Sequence, residues 1–216
     1  MEKKWKQRGK KAWHFFWHSD SFASFFANIL VAFLIIKFIM YPLLGLTLGT
    51  SFPIVAVISE SMEHGLHNGV LCDVPFSNFK ESLDNYWKTC GSWYEKQEIS
   101  KEEFKSFRFD QGFDKGDVVV LWRANSNNVH IGDILVFKSN RLPQPIIHRV
   151  VKIWQEEGKY YYQTKGEHNS GSISGEETKI DESRIYGKGV LRVPYLGWVK
   201  ILFVEAVRPL GWNIQR

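Results

Sequence analysis

Hydrophobic and polar positions divide the chain into an apolar front and a β-patterned body. Residues 21–36 (SFASFFANILVAFLII) carry no charge, and after Lys37 residues 38–59 again carry none. From about Phe22 to Leu48 the chain therefore supplies the roughly 20 apolar residues that a bilayer-spanning helix needs. It is apolar on every face, whereas a helix packed on a soluble core keeps a polar one. Lys37 near mid-span costs a few kcal/mol, which the surrounding Leu, Ile and Phe offset. The stretch is longer than the core of a secretory signal peptide, and no small-x-small cleavage pattern follows it in a polar setting. It is predicted to be a retained anchor, residues 21–50.

Beyond the anchor the pattern turns to β. Residues 52–58 (FPIVAVI), 117–122 (DVVVLW), 133–138 (DILVFK), 146–154 (IIHRVVKIW), 159–165 (KYYYQTK) and 185–193 (IYGKGVLRV) are rich in β-branched and aromatic residues. Gly-Asp opens two of them, at Gly116-Asp117 and Gly132-Asp133, and Glu156-Glu157-Gly158 suits a hairpin turn. Between residues 65 and 112 this pattern breaks. That stretch holds Tyr86, Trp87, Trp93 and Tyr94, and a short helix predicted from Ser100, with Glu103 completing a capping box. The fold expected is mainly β: a β domain over residues 51–216, with an α-containing insertion at 65–112. The apolar C-terminal run 195–212 contains Lys200, Glu205 and Arg208. It reads as an interfacial or core segment and not as a second span.

Charge refines the topology. The 216 residues carry a formal net charge of +5. Residues 2–12 hold six Lys/Arg against one Glu, so the whole net charge lies in this part of an N-terminal head, residues 1–20, and the residues outside 2–12 balance to zero. A basic nucleic-acid groove is excluded. The positive-inside rule puts the head in the cytoplasm and residues 50–216 outside, as a single-pass protein of the cell membrane. Two cysteines exclude a disulfide-dense scaffold and a four-cysteine zinc site. With no His-Glu-x-x-His and no Cys-x-x-Cys, neither a metal nor another cofactor is expected. Cys72 and Cys90, both in the insertion, are candidates for a disulfide.

Candidate chemistry begins where the first strand ends. The run Pro53-Ile54-Val55-Ala56-Val57-Ile58-Ser59-Glu60-Ser61-Met62-Glu63-His64-Gly65 resembles the nucleophile box of type I signal peptidases. Ile147-His148-Arg149-Val150 resembles the His-Arg box of the archaeal and endoplasmic-reticulum branch of that family. Thr164-Lys165-Gly166-Glu167-His168-Asn169 resembles its Thr-Lys-Gly-Asp-Asn-Asn box. The paired Gly-Asp strands and Val193-Pro194-Tyr195-Leu196-Gly197 fit as well. The resemblance covers most of residues 20–200, in order. Three positions depart from the family pattern: Glu60 where Gly is common, His64 where Pro is common, and Glu167 where Asp is usual. The basic head and the long insertion favour the archaeal side of the branch over the reticulum side.

The resemblance implies a membrane-anchored serine endopeptidase that removes signal peptides from secretory preproteins. Its expected partners are those peptides, the lipid bilayer and the Sec translocon. A serine hydroxyl needs a base to take its proton, and histidine, whose ordinary pKa lies near working pH, can take it and return it to the leaving amine. Ser61 and His148 are assigned these roles. A carboxylate fixes the imidazole tautomer and stabilises its cation. The family's second acid aligns near Glu177, with Glu176 almost as good a match, and Glu167 and Asp181 are the other candidates. The family's oxyanion donors fall on the Ser61 N–H and the Ser59 hydroxyl. Ile54, Val55 and Val57, directly before the nucleophile, are expected to line the substrate site, with the substrate adding to the strand edge. Ser61 is expected to sit close to the membrane surface. Two rival readings remain: an inactive membrane-anchored β domain serving as a binding or assembly module, and a cytoplasmic self-cleaving regulator of the related Ser-Lys fold. The anchor and the histidine at the base position argue against the second.

Overall fold

The computed structural model describes residues 10, 13–19, 21–199 and 201–202. Most of the basic head, and residues 200 and 203–212 of the C-terminal run 195–212, lie outside the described residues. The chain divides into two units, Met1–Thr47 and Leu48–Arg216.

The apolar segment forms one 27-residue helix, α1 (Phe22–Leu48), long and apolar enough to cross a membrane. Its N-terminus is capped by Ser21, whose hydroxyl accepts the Ser24 N–H at 3.2 Å. Its middle, Ile36–Met40, widens to a π-helical turn in which the Tyr41 N–H reaches Ile36 O. Pro42 follows at once; it lacks an N–H, and its ring crowds the carbonyl one turn back, a common reason for such a bulge. Lys37 sits in that turn with its ammonium 5.5 and 5.4 Å from the Phe33 and Phe38 rings.

The second unit is built on a seven-stranded antiparallel sheet. Its strands are β1 (Ile54–Ala56), β4 (Val118–Trp122), β5 (Ile134–Phe137), β6 (Ile146–Glu156), β7 (Lys159–Lys165), β8 (Ile180–Asp181) and β9 (Ile185–Val193). A separate two-stranded ribbon pairs β2 (Val70–Leu71) with β3 (Val74–Pro75). The order across the large sheet is β1-β4-β9-β5-β6-β7-β8. Hydrophobic burial explains the centre of it. The unbroken run Ile134-Leu135-Val136-Phe137 is buried on both faces, as a continuous apolar strand should be. Ile134 and Val136 join a cluster with Val55, Val57, Met62, Phe113, Val119 and Leu121. Leu135 and Phe137 join one with Val129, Val150, Tyr162 and Ile180.

The turns follow the residues that punctuate them. Asp114 to Asp117 and His130 to Asp133 form the same turn twice. In each, the Asp that closes the turn accepts, through its carboxylate, the N–H three residues back, at 2.9 and 3.0 Å. Gly116 and Gly132 take φ of +94° and +91°, and an added Cβ would strike Trp198 or Phe107. The β6–β7 hairpin turns on Glu157 and Gly158, both with positive φ, as a primed two-residue turn requires.

The first strand is shorter than the expected 52–58. Its pairing with β4 covers Ile54 to Ala56, although Val57 N still donates to Asp117 O at 2.8 Å. Residues 65–112 carry β2, β3, α2 (Leu83–Glu95) and α3 (Lys101–Ser106). The expected helix start is found, since Ser100 caps α3 by accepting the Glu103 N–H at 3.2 Å. Tyr86, Trp87, Tyr94 and Phe104 from this insertion pack with Leu71, Ile99 and Val151 of β6 as a third core. Cys72 and Cys90 are joined as a disulfide, with Cα atoms 5.8 Å apart. It ties the β2–β3 turn to α2.

Candidate active site

Three segments distant in sequence meet at Ser61. The loop after β1 carries the serine. Strand β6 carries His148, and the loop between β7 and β8 carries Glu177. Ser61 Oγ lies 3.0 Å from His148 Nε2. His148 Nδ1 is hydrogen-bonded to Glu177 Oε1 in a buried contact. Glu177 is itself fixed: Thr164 Oγ1 donates to Oε1 at 3.1 Å and Ile173 N donates to Oε2 at 2.7 Å. The carboxylate therefore has donors on both oxygens, which holds the imidazole with Nε2 aimed at the serine. Ser59 Oγ lies 3.1 Å from Ser61 Oγ.

The other expected acids lie elsewhere. Glu176 turns away from the histidine: Asn140 N donates to its carboxylate at 3.0 and 3.1 Å, and Arg184 pairs with it at 3.2 Å. Asp181 caps the 3₁₀ turn Glu182–Arg184 by accepting the Ser183 N–H at 2.9 Å. Glu167 forms a second buried cluster behind the nucleophile, bonded to Arg149 Nε and His64 Nε2. Burial opposes ionisation of Glu167, but Arg149 and His64 outweigh it and hold its pKa below the usual carboxylate range.

The segment Thr164–Asn169 brings these two clusters together. Its Gly166 is pressed between them: a Cβ there would stand 2.7 Å from His148 Nε2 and 2.9 Å from Ser61 O. His168 N donates to Ser61 O at 2.9 Å. Lys165 is fully buried, with Nζ donating to Gly166 O and Glu167 O at 3.1 Å each and lying 4.8 Å from the Tyr94 ring. Burial pushes its ammonium down to about 7, against the pull of Glu167 and Glu177. The insertion thus supplies a floor under the site: Tyr94 and Trp93 beneath Lys165, and Tyr86 donating to Glu167 O at 3.0 Å.

The expected substrate lining divides between the two faces of β1. Strand alternation sends Val55 and Val57 into the core, where both are buried, so neither side chain is open to a substrate. Ile54, on the other face, is 40% exposed. The edge of β1 opposite β4 has no partner strand among the described residues.

His64, Lys165 and the aromatic floor were not read from the sequence as site residues. For His64 and Lys165 the signal available was their position within two motif boxes; the aromatic floor, in the insertion, gave none. A nucleophile, a base held by a carboxylate, and a hydroxyl beside the nucleophile can together carry out acyl transfer.

No family model matches the chain. It is 30% identical over 101 residues to the signal peptidase complex catalytic subunit SEC11 of Colletotrichum graminicola, covering 44% of this chain and 59% of that protein. It is 28% identical over 201 residues to the corresponding subunit of Schizosaccharomyces pombe, covering 86% of each. Over 98 residues it is 28% identical to the SEC11C subunit of Homo sapiens, of which it covers 51%. The chain thus spans little more than half the length of the first and third of these relatives. All three are eukaryotic, so the preference for the archaeal side of the branch finds no support in them. The chain carries an N-terminal helix long and apolar enough to cross a membrane, and it is similar to the catalytic subunits of eukaryotic signal peptidases.

Proposed function

We propose that this protein is a membrane-anchored serine endopeptidase that removes signal peptides from exported preproteins. The observation that carries the reading is the hydrogen-bonded chain Ser61–His148–Glu177. The similarity to signal peptidase catalytic subunits supports the choice of substrate.

Ser61 Oγ attacks the scissile carbonyl carbon as its proton passes to His148 Nε2. Glu177 holds the imidazole and stabilises the cation that forms. The oxyanion of the tetrahedral intermediate accepts hydrogen bonds from the Ser61 N–H and the Ser59 hydroxyl. The C–N bond then breaks as His148 returns the proton to the leaving amine, leaving an acyl-Ser61 ester. A water gives its proton to His148 and attacks this ester, and Ser61 leaves with the proton back on its oxygen. The substrate lies extended on the open edge of β1 beside Ile54, with Val55 and Val57 packing the strand from behind.

The head and α1 complete the reading. The basic head stays in the cytoplasm, and residues 51–216, with their insertion at 65–112, form the extracytoplasmic protease domain. Anchoring in the same bilayer presents the cleavage site of a signal peptide at high effective concentration, and the Sec translocon delivers it.

The test is cleavage of a radiolabelled preprotein by the full-length protein in lipid vesicles. Ser61→Ala and His148→Ala should each lower processing by about 10⁴-fold or more. A folded wild-type protein that binds the preprotein without cutting it would replace this reading with that of an anchored binding module.

A further inference from the structure

His64 follows the nucleophile by three residues and is 3% exposed. Its ring lies flat on that of Tyr86, with centroids 3.7 Å apart and planes 8° from parallel. Its Nε2 is bonded to Glu167 Oε2, and the other Glu167 oxygen takes Arg149 Nε. Three of the other four Arg149 N–H groups donate to Arg108 O at 3.0 Å, Gly132 O at 2.6 Å and Phe109 O at 2.6 Å. The result is a continuous buried connection from the nucleophile loop to β6, where Arg149 is the neighbour of His148.

Two features give this connection a role beyond packing. The first is where its middle member lies. Glu167 is flanked by Gly166, which abuts His148 Nε2 and Ser61 O, and by His168, whose N–H holds Ser61 O. Any shift of the Glu167 carboxylate is passed to both catalytic partners. The second is the unpaired atom. His64 Nδ1 is buried with no hydrogen-bond partner. An orphaned polar atom is unfavourable, and a phenyl ring would stack on Tyr86 without one. The imidazole is retained for its other nitrogen, which donates to Glu167.

We propose that His64 is a positioning residue for Ser61, acting through the buried His64–Glu167–Arg149 chain that fixes the nucleophile loop against strand β6. The inference rests on the protease reading above. Removing the His64 N–H leaves a fully buried Glu167 oxygen short of a donor, on the side where Gly112 packs so closely that an added Cβ would stand 3.0 Å from it. The carboxylate then shifts, and the serine loses alignment with His148 while the substrate-binding edge of β1 is untouched.

The test compares His64→Phe, His64→Leu and His64→Gln in the full-length protein in vesicles, with folded fractions fixed by near-UV circular dichroism. The Phe and Leu variants should lose about 10- to 100-fold in kcat with KM within about threefold, the cost of a misplacement on the order of 1 Å. Gln, whose Nε2–H reaches the same oxygen, should recover kcat to within about threefold of wild type. A folded Phe variant with wild-type kcat overturns the proposal, as does a Gln variant no better than Leu. Failure of both Phe and Leu to fold also overturns it, in favour of a purely structural histidine. An inactive wild-type protein would instead overturn the protease reading itself.

Discussion

Gly166→Ala is the sharpest perturbation of the proposed dyad, because it adds one methyl group between its members. Gly166 needs no left-handed backbone, so alanine is conformationally permitted there. By itself that change would stabilise the fold by about 0.4–1 kcal/mol through the unfolded chain. Space decides otherwise. The new Cβ would stand 2.6 Å from Asn169 Nδ2, 2.7 Å from His148 Nε2 and 2.9 Å from Ser61 O. The 2.7 Å approach falls about 0.7 Å short of the 3.4 Å at which ordinary contact begins. The Ser61 carbonyl is held by the His168 N–H, and Nδ1 of the histidine is held by Glu177, so the ring must tilt about that anchored nitrogen. A tilt that clears the methyl would stretch the 3.0 Å Ser61–His148 separation to about 3.7 Å, beyond the range in which a base takes a proton directly. Loss of general-base catalysis costs about 10²–10⁴-fold, and overpacking costs about 1–3 kcal/mol, part of which the backbone gain offsets. The expected result is a folded protein, only slightly less stable in thermal denaturation, with kcat/KM for a preprotein lowered at least 100-fold. A folded variant that cuts at the wild-type rate would refute both the close approach and the role of His148.

The acids separate by their partners. Glu177→Gln should lower kcat by about 10²–10⁴-fold. Glu176→Gln should leave kcat near wild type while losing about 1–2 kcal/mol of stability through its buried ties to Asn140 and Arg184, and Asp181→Asn should change neither; equal losses in all three would remove Glu177 from its place. Lys165 gives a pH signature. Its folded pKa of about 7 lies below the ordinary 10.5, so between those values the unfolded chain holds a proton that the folded chain has released. Stability of the wild type relative to Lys165→Met should therefore rise with pH from about 7 to about 10, by up to about 1.4 kcal/mol per pH unit. Denaturant titrations at three pH values measure this, and a flat difference would mean that Lys165 keeps its charge.

What could be read from the sequence was what local pattern controls. The continuous run of β5, the Gly-Asp turns and the Glu157-Gly158 hairpin follow from apolar periodicity and from residues that tolerate positive φ. Ser61 and His148 stood out because each lies in a recognisable box on or beside a strand. Glu177 did not separate from Glu176 because adjacent loop residues differ only in which way the chain turns, and that depends on the Thr164 and Ile173 contacts. Val55 and Val57 were expected at the substrate because they precede the nucleophile, but strand alternation is a tertiary choice of face, and it buried them. Lys165 and His64 were invisible for a related reason. A polar residue in a motif is read by default as solvated, and only the aromatic floor, about 20 residues after His64 and about 70–80 before Lys165, makes these two interior.

The strand order carries a consequence for how this protein comes into being. Ser61 follows β1, which pairs with β4, while His148 lies on β6, which pairs with β5. In the sheet these two halves are joined only through β9, the last strand in sequence among the described residues, which lies between β4 and β5. A growing chain can pair β5 to β8 early, from contacts close in sequence, and β1 with β4 across a longer loop, but the sheet that carries both Ser61 and His148 is not continuous until residues 185–193 have slotted between them. This late, long-range closure slows folding, and on the protease reading proposed above it also delays cleavage. A nascent copy would then leave the chains around it uncut until β9 had been made and paired.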